Sequence, residues 1–260
     1  MDDSPVANSG TPWVPLTYGG HPTPSESNIL SKLVTSISDL QVSETIRRIP
    51  TDKLENSDTV YTLLQSPLGS PLPLHASLSQ PLILQTLQRE AFLDALVLQL
   101  RRTSVRPFTV RFATLKWVAN QESTRWFLVL GMERPHGNEL NRLLDACNTV
   151  AERFALLPLY RSGSGGEPCK PDILKRGDIS RGRASDHSEC FHISIAWSLN
   201  PPEAGMMDMT LHSEAVTARM EKEVRKIEVG FDAVKVKIGN TVSSVDLSAR
   251  ARERAKGILG

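Results

Sequence analysis

His75 and Ser77, and again His192 and Ser194, stand two residues apart inside apolar runs. The first run is Pro71-Leu72-Pro73-Leu74-His75-Ala76-Ser77-Leu78. The second is Phe191-His192-Ile193-Ser194-Ile195-Ala196-Trp197. Both runs read as strands, and on a strand residues i and i+2 face the same way. His75 and Ser77 therefore share one face, with Leu74, Ala76 and Leu78 on the other. His192 and Ser194 share a face against Phe191, Ile193 and Ile195. Two such strands look like the halves of one cleft. Two imidazoles and two hydroxyls facing each other would form a metal-free acid–base site for phosphate chemistry. Cleavage of RNA by its own 2′-hydroxyl needs one group to take that proton and another to protonate the departing 5′-oxygen. Imidazole suits both roles, because it titrates near neutrality. Hydroxyls such as Ser77 and Ser194 suit the charge that builds on the non-bridging oxygens.

One His-x-Ser in an apolar strand arises readily as a packed histidine. Two copies with matching neighbours are far more specific. The other histidines are weaker candidates: His21, His136, His187 and His212 lie in tail, loop or helix-start contexts. Cys190 precedes His192 by two residues and should share its face, which would suit a Cys–His nucleophile. The matching position in the first copy, however, is Pro73. Gln121 and Arg125 flank the turn Asn120-Gln121-Glu122-Ser123-Thr124-Arg125. On spacing alone they read as a polar hairpin closure.

The elements that must position these residues follow from periodicity. Residues 1–27, rich in Pro, Gly, Ser and Thr, read as a disordered tail. Apolar residues at helical spacing predict a helix near 29–49 and others over 82–102, 138–157 and 211–229. Strands are expected at 61–64, 108–118, 125–132, 231–238 and 242–247, with Val110, Phe112 and Thr114 on one face of the second. Residues 161–188 are Gly-, Ser- and charge-rich and read as a long flexible insert. Lys170, Lys175, Arg176, Arg181 and Arg183 make it basic, as an arm for RNA would be. Arg101, Arg102, Arg106 and Arg111 form a second basic stretch. Each half carries an HxS strand, then a helix, then further strand. The expected fold is therefore α+β. It has two pseudo-symmetric lobes, each an antiparallel sheet with flanking helices, facing a central cleft.

The 260 residues carry 30 Lys and Arg against 29 Asp and Glu, so no global charge attracts nucleic acid. Three cysteines without CxxC spacing argue against a disulfide framework or zinc cluster and for a reducing compartment. No apolar stretch reaches membrane-spanning length, and the start lacks the pattern of a secretory signal.

The paired motifs resemble the 2H phosphoesterase superfamily. Leu74-His75-Ala76-Ser77-Leu78-Ser79, Asn120-Gln121-Glu122-Ser123-Thr124-Arg125 and Phe191-His192-Ile193-Ser194-Ile195-Ala196-Trp197 are most similar to its Usb/Mpn family, over about residues 60–247. That resemblance implies a 3′–5′ exoribonuclease trimming the 3′ end of U6 snRNA in the nucleus. Its expected substrates are oligouridine or adenine-ended tails. His75 and His192 would be catalytic, Ser77 and Ser194 would bind phosphate, and Gln121 would hold the terminal nucleotide. The expected product is a 2′,3′-cyclic phosphate or a monophosphate end. No cofactor or metal is implied, no membrane partner is expected, and the working form is a monomer. A 2′,3′-cyclic phosphodiesterase and a non-catalytic RNA-binding module are the alternatives. Residues 28–260 would form the catalytic domain. Some relatives carry a tyrosine six residues before the second His. Asp186 stands there in this chain, and Tyr160 is the nearest upstream tyrosine.

Overall fold

The computed structural model describes residues 15–17, 21–48, 60–120, 122–160, 186–202 and 218–247. Nine strands and four helices lie among them. In chain order they are β1 (Pro15–Thr17), α1 (Pro24–Arg48), β2 (Tyr61–Thr62), β3 (His75–Ser77), α2 (Arg89–Arg102), β4 (Phe108–Ala119) and β5 (Trp126–Met132). Then follow α3 (Glu139–Arg153), β6 (His192–Ser198), α4 (Ala218–Arg225), β7 (Glu228–Phe231), β8 (Ala233–Ile238) and β9 (Thr241–Asp246). The fold is α+β, as expected. One sheet has the order β3-β1-β8-β9 and the other β2-β6-β5-β4-β7. All the pairings are antiparallel.

The tail expected over residues 1–27 needs correction where it is described. Pro15–Thr17 is a strand, and it lies between β3 and β8. Thr17 is paired with His75 and Pro15 with Ser77. Helix α1 already begins at Pro24. Thr23 and Glu26 cap it reciprocally: the Thr23 N–H donates to Glu26 Oε2 at 2.8 Å, and the Glu26 N–H to Thr23 Oγ1 at 3.3 Å. Proline at the first helical position lacks only an N–H that would be orphaned anyway. Residues 1–14 lie outside the described residues.

The helix expected over 82–102 starts later, at Arg89. Before it, Leu82 and Leu84 are buried while Ile83 is exposed, the alternation of an extended segment. Of the insert expected over 161–188, residues 161–185 lie outside the described residues. Asp186–Ser188 instead are tied to α3 through Asn141 and to the segment before it through Arg134.

One continuous buried cluster joins the sheets to the helices. Leu33 and Ile37 of α1, Phe92 and Leu96 of α2, and Leu143 and Val150 of α3 all enter it. The central three strands present rows Leu115–Leu130–Ile193 and Trp117–Leu128–Ala196 to this core. The first row has 0% exposure. The chain crosses between sheets at Asp232, whose carbonyl accepts the Leu247 N–H at 2.8 Å.

Candidate active site

The two HxS strands occupy different places in their sheets. β3 is the edge of the first, and β6 lies inside the second, between β2 and β5. They pack against each other. Along both, the HxS side chains alternate as the sequence predicts. His75 and Ser77 are half-buried while Ala76 and Leu78 are buried. His192 and Ser194 are half-buried while Phe191, Ile193 and Ile195 are buried.

Each imidazole is held by the carbonyl two residues before it. His192 Nδ1 lies 2.7 Å from the Cys190 carbonyl oxygen. A carbonyl only accepts, so Nδ1 carries the proton and Nε2 is left with the lone pair. His75 bonds the backbone of Pro73. Proline has no N–H, so its carbonyl is the partner. Pro73 and Cys190, unlike as side chains, are thus equivalent as backbone. Tyr160 donates from its buried hydroxyl to the same Cys190 oxygen at 3.1 Å.

Burial pushes both imidazoles below the ordinary histidine value. For His75 desolvation is the largest cause; the bond to Pro73 raises it, and the charge of His192 lowers it further. For His192 desolvation again leads, the Cys190 bond opposes it, and the charge of Lys116 lowers it. The charge of His192 is thus felt at His75, and that of Lys116 at His192.

Two bulges decide what else joins this face. In β4, Phe112 pairs with Met132 and Thr114 with Gly131, leaving Ala113 extra. Thr114 consequently leaves the face of Val110 and Phe112, where unbroken alternation would put it. In β6, Ala196 pairs with Leu128 and Ser194 with Val129, leaving Ile195 extra. Directly opposed residues in antiparallel strands share a face, so three rows cross the sheet on the face of His192 and Ser194. They are Thr114–Gly131–His192, Lys116–Val129–Ser194 and Val118–Phe127–Trp197–Tyr61. A Cβ at Gly131 would overlap Thr114 Oγ1, so glycine there lets the hydroxyl lie beside His192's rung. In the third row, Tyr61 stacks on Trp197 with centroids 4.4 Å apart and planes at 19°. The Arg125 guanidinium carbon stands 4.9 Å from the Trp197 centroid.

Gln121 lies outside the described residues. Beside it in sequence, Asn120 Oδ1 accepts the backbone N–H of Thr124 at 2.8 Å and of Arg125 at 3.0 Å. Cys190 is buried in a short 3-10 turn and offers His192 its carbonyl. That replaces the nucleophile reading. His21 and His136 are exposed. His187 packs by the Tyr160 ring, with centroids 6.0 Å apart. Arg111 is paired with Glu228 on β7. Sequence reasoning missed Lys116 and Thr114, and it had no means to see the bulge that turns them onto the face of His192 and Ser194. Among the described residues no three His, Cys, Asp or Glu converge as metal ligands, and no helix is long and apolar enough to cross a membrane.

A family model described as "HVSL: Uncharacterised conserved protein" matches residues 19–246. The U6 snRNA phosphodiesterase 1 of Neurospora crassa is 29% identical over 278 aligned positions, covering 95% of this chain and 69% of that protein. Usb1 of Kluyveromyces marxianus has a similar structure, with a TM-score of 0.61 at 16% identity over 92% of this chain and 99% of that one. Its structure with uridine monophosphate gives 0.61 at 14% identity, over 93% and 100%. At such identities these structures speak to fold.

Proposed function

The chain belongs to the HVSL family, and from that premise we propose that it is a metal-independent RNA phosphodiesterase that trims the 3′ end of U6 snRNA. The observation that carries this reading is the pair of histidines on facing strands, each held by the carbonyl two residues before it. The 29%-identical Neurospora crassa phosphodiesterase supports the substrate. It supports a nuclear site of action as well.

One imidazole, neutral, takes the proton of the penultimate 2′-hydroxyl. The freed oxygen attacks the adjacent phosphorus. The bond from phosphorus to the 5′-oxygen of the last nucleoside breaks, and the second imidazole, protonated, gives that oxygen its proton. The products are a nucleoside and an RNA ending in a 2′,3′-cyclic phosphate. Water in place of the 2′-hydroxyl would open the ring to a monophosphate by the same two groups. Ser77 and Ser194 donate to the non-bridging oxygens as charge builds there. Gln121, beside Asn120 in sequence, holds the terminal nucleotide. The two sheets act as two lobes of one cleft, and the working form is a monomer. The third row, Tyr61–Trp197 with Arg125, favours a strand of RNA over a small cyclic phosphate. Aromatic and guanidinium faces stack bases with little regard to sequence.

Labelled oligouridine in EDTA tests the reading. Stepwise shortening is the expected result. Opening of a cyclic end without shortening would indicate a cyclic phosphodiesterase. Retention without change would indicate a binding module.

A further inference from the structure

Lys116 is the one ammonium among the described residues whose charge is felt at His192. Its position follows from backbone register. The bulge at Ala113 turns it away from the core row of Leu115 and Trp117. It sits opposite Val129, which sits opposite Ser194, so its side chain shares the face of the phosphate-binding serine. Two strand spacings, about 10 Å, separate its backbone from that of Ser194. Val129, which stands between the two in this row, is fully buried. Lys116 is itself half-buried. No carboxylate among the described residues forms an ion pair with it. A cation on the same face as Ser194, whose charge opposes the protonation of His192, calls for an anion there.

We propose that Lys116 is a catalytic residue whose ammonium pairs with a non-bridging oxygen of the scissile phosphodiester and stabilises the charge gained there in the transition state. The proposal rests on the phosphodiesterase reading above. The histidines move protons and the serines donate neutral hydrogen bonds, but neither kind of residue brings a permanent positive charge. A phosphorane-like transition state carries more negative charge than the diester it forms from. A fixed cation in a partly desolvated cleft therefore favours it over the bound substrate.

The test compares Lys116→Met, Lys116→Gln and Lys116→Arg in the full chain. Gln keeps a polar head should Met fail to fold, and thermal melts verify that each variant is folded. On oligouridine, the uncharged variants should lose about 10²–10³-fold in kcat, while Arg should recover most of it. A second arm measures binding to 2′-O-methyl oligouridine, which lacks the nucleophile. It therefore reads the phosphate contact whether or not the chain turns RNA over. There the slope of log affinity against log salt should become shallower by about 0.7 on losing one single-strand phosphate contact. Folded uncharged variants with unchanged kcat and an unchanged salt slope would overturn the proposal. A changed slope with unchanged kcat would also overturn it, moving Lys116 to a neighbouring phosphate. Absence of turnover in the wild type, with the slope still changing, would sink the phosphodiesterase reading and leave the contact standing.

Discussion

The Cys190 carbonyl accepts twice, from His192 Nδ1 and from the Tyr160 hydroxyl. It fixes the imidazole tautomer, and Tyr160 fixes the carbonyl. Tyr160 stands at a φ of 60°, in the left-handed region that a bulky residue adopts only when its surroundings hold it there. Removing the hydroxyl in Tyr160→Phe should cost about 0.5–1.5 kcal/mol of stability by denaturant titration. It should lower kcat by up to about tenfold, with KM little changed. A variant equal to wild type in both would deny Tyr160 a positioning role. The serines should behave differently. Ser77→Ala and Ser194→Ala should each slow kcat by about 10²–10³-fold without loss of stability. If KM rises while kcat stays constant, they bind only ground-state phosphate.

At the scale of elements, the first HxS strand depends on a neighbour. β3 has three residues and, among the described residues, pairs with β1 alone, which joins it to β8 and β9. Deleting residues 1–20 removes β1 and should release His75, lowering both the melting temperature and RNA turnover. Undiminished activity in that deletion would mean that β3 holds its place by packing on β6 alone. This strand was not legible in the sequence, because three residues between Gly- and Pro-rich segments carry no period. The start of α1 does carry a sequence signal: Thr23-Pro24-Ser25-Glu26 spells a capping box with proline at the first position. Compositional bias hid it. His75, Ser77, His192 and Ser194 could be read because alternation over three residues suffices to place them. Lys116 and Trp197 could not be, since each lies past a bulge that inverts the alternation. Cys190 was read as a side chain and acts through its backbone.

For the whole molecule, the contacting strands β3 and β6 carry two buried titratable groups, and folding is linked to pH through them. Burial holds both imidazoles below their ordinary value in the folded chain. Unfolding returns them to about 6.5. Between those values the unfolded chain binds more protons, so stability is fully present above about pH 6.5 and falls as pH drops below it. Thermal melts should show that decline, and the double variant His75→Gln/His192→Gln should flatten it. A wild-type decline that persists unchanged in the double variant would assign it to other groups. The same shift acts on turnover: the imidazole that would give a proton loses it early, so kcat/KM should already be falling with rising pH below about 6.5. The central claim is that both histidines move protons in the cleavage of RNA. Its most direct test is single-turnover trimming of a labelled oligouridine in EDTA by wild type, His75→Ala and His192→Ala, with folding verified by thermal melts. Each substitution should slow the chemical step by about 10²–10⁴-fold. Near-wild-type trimming by either folded variant would contradict the account.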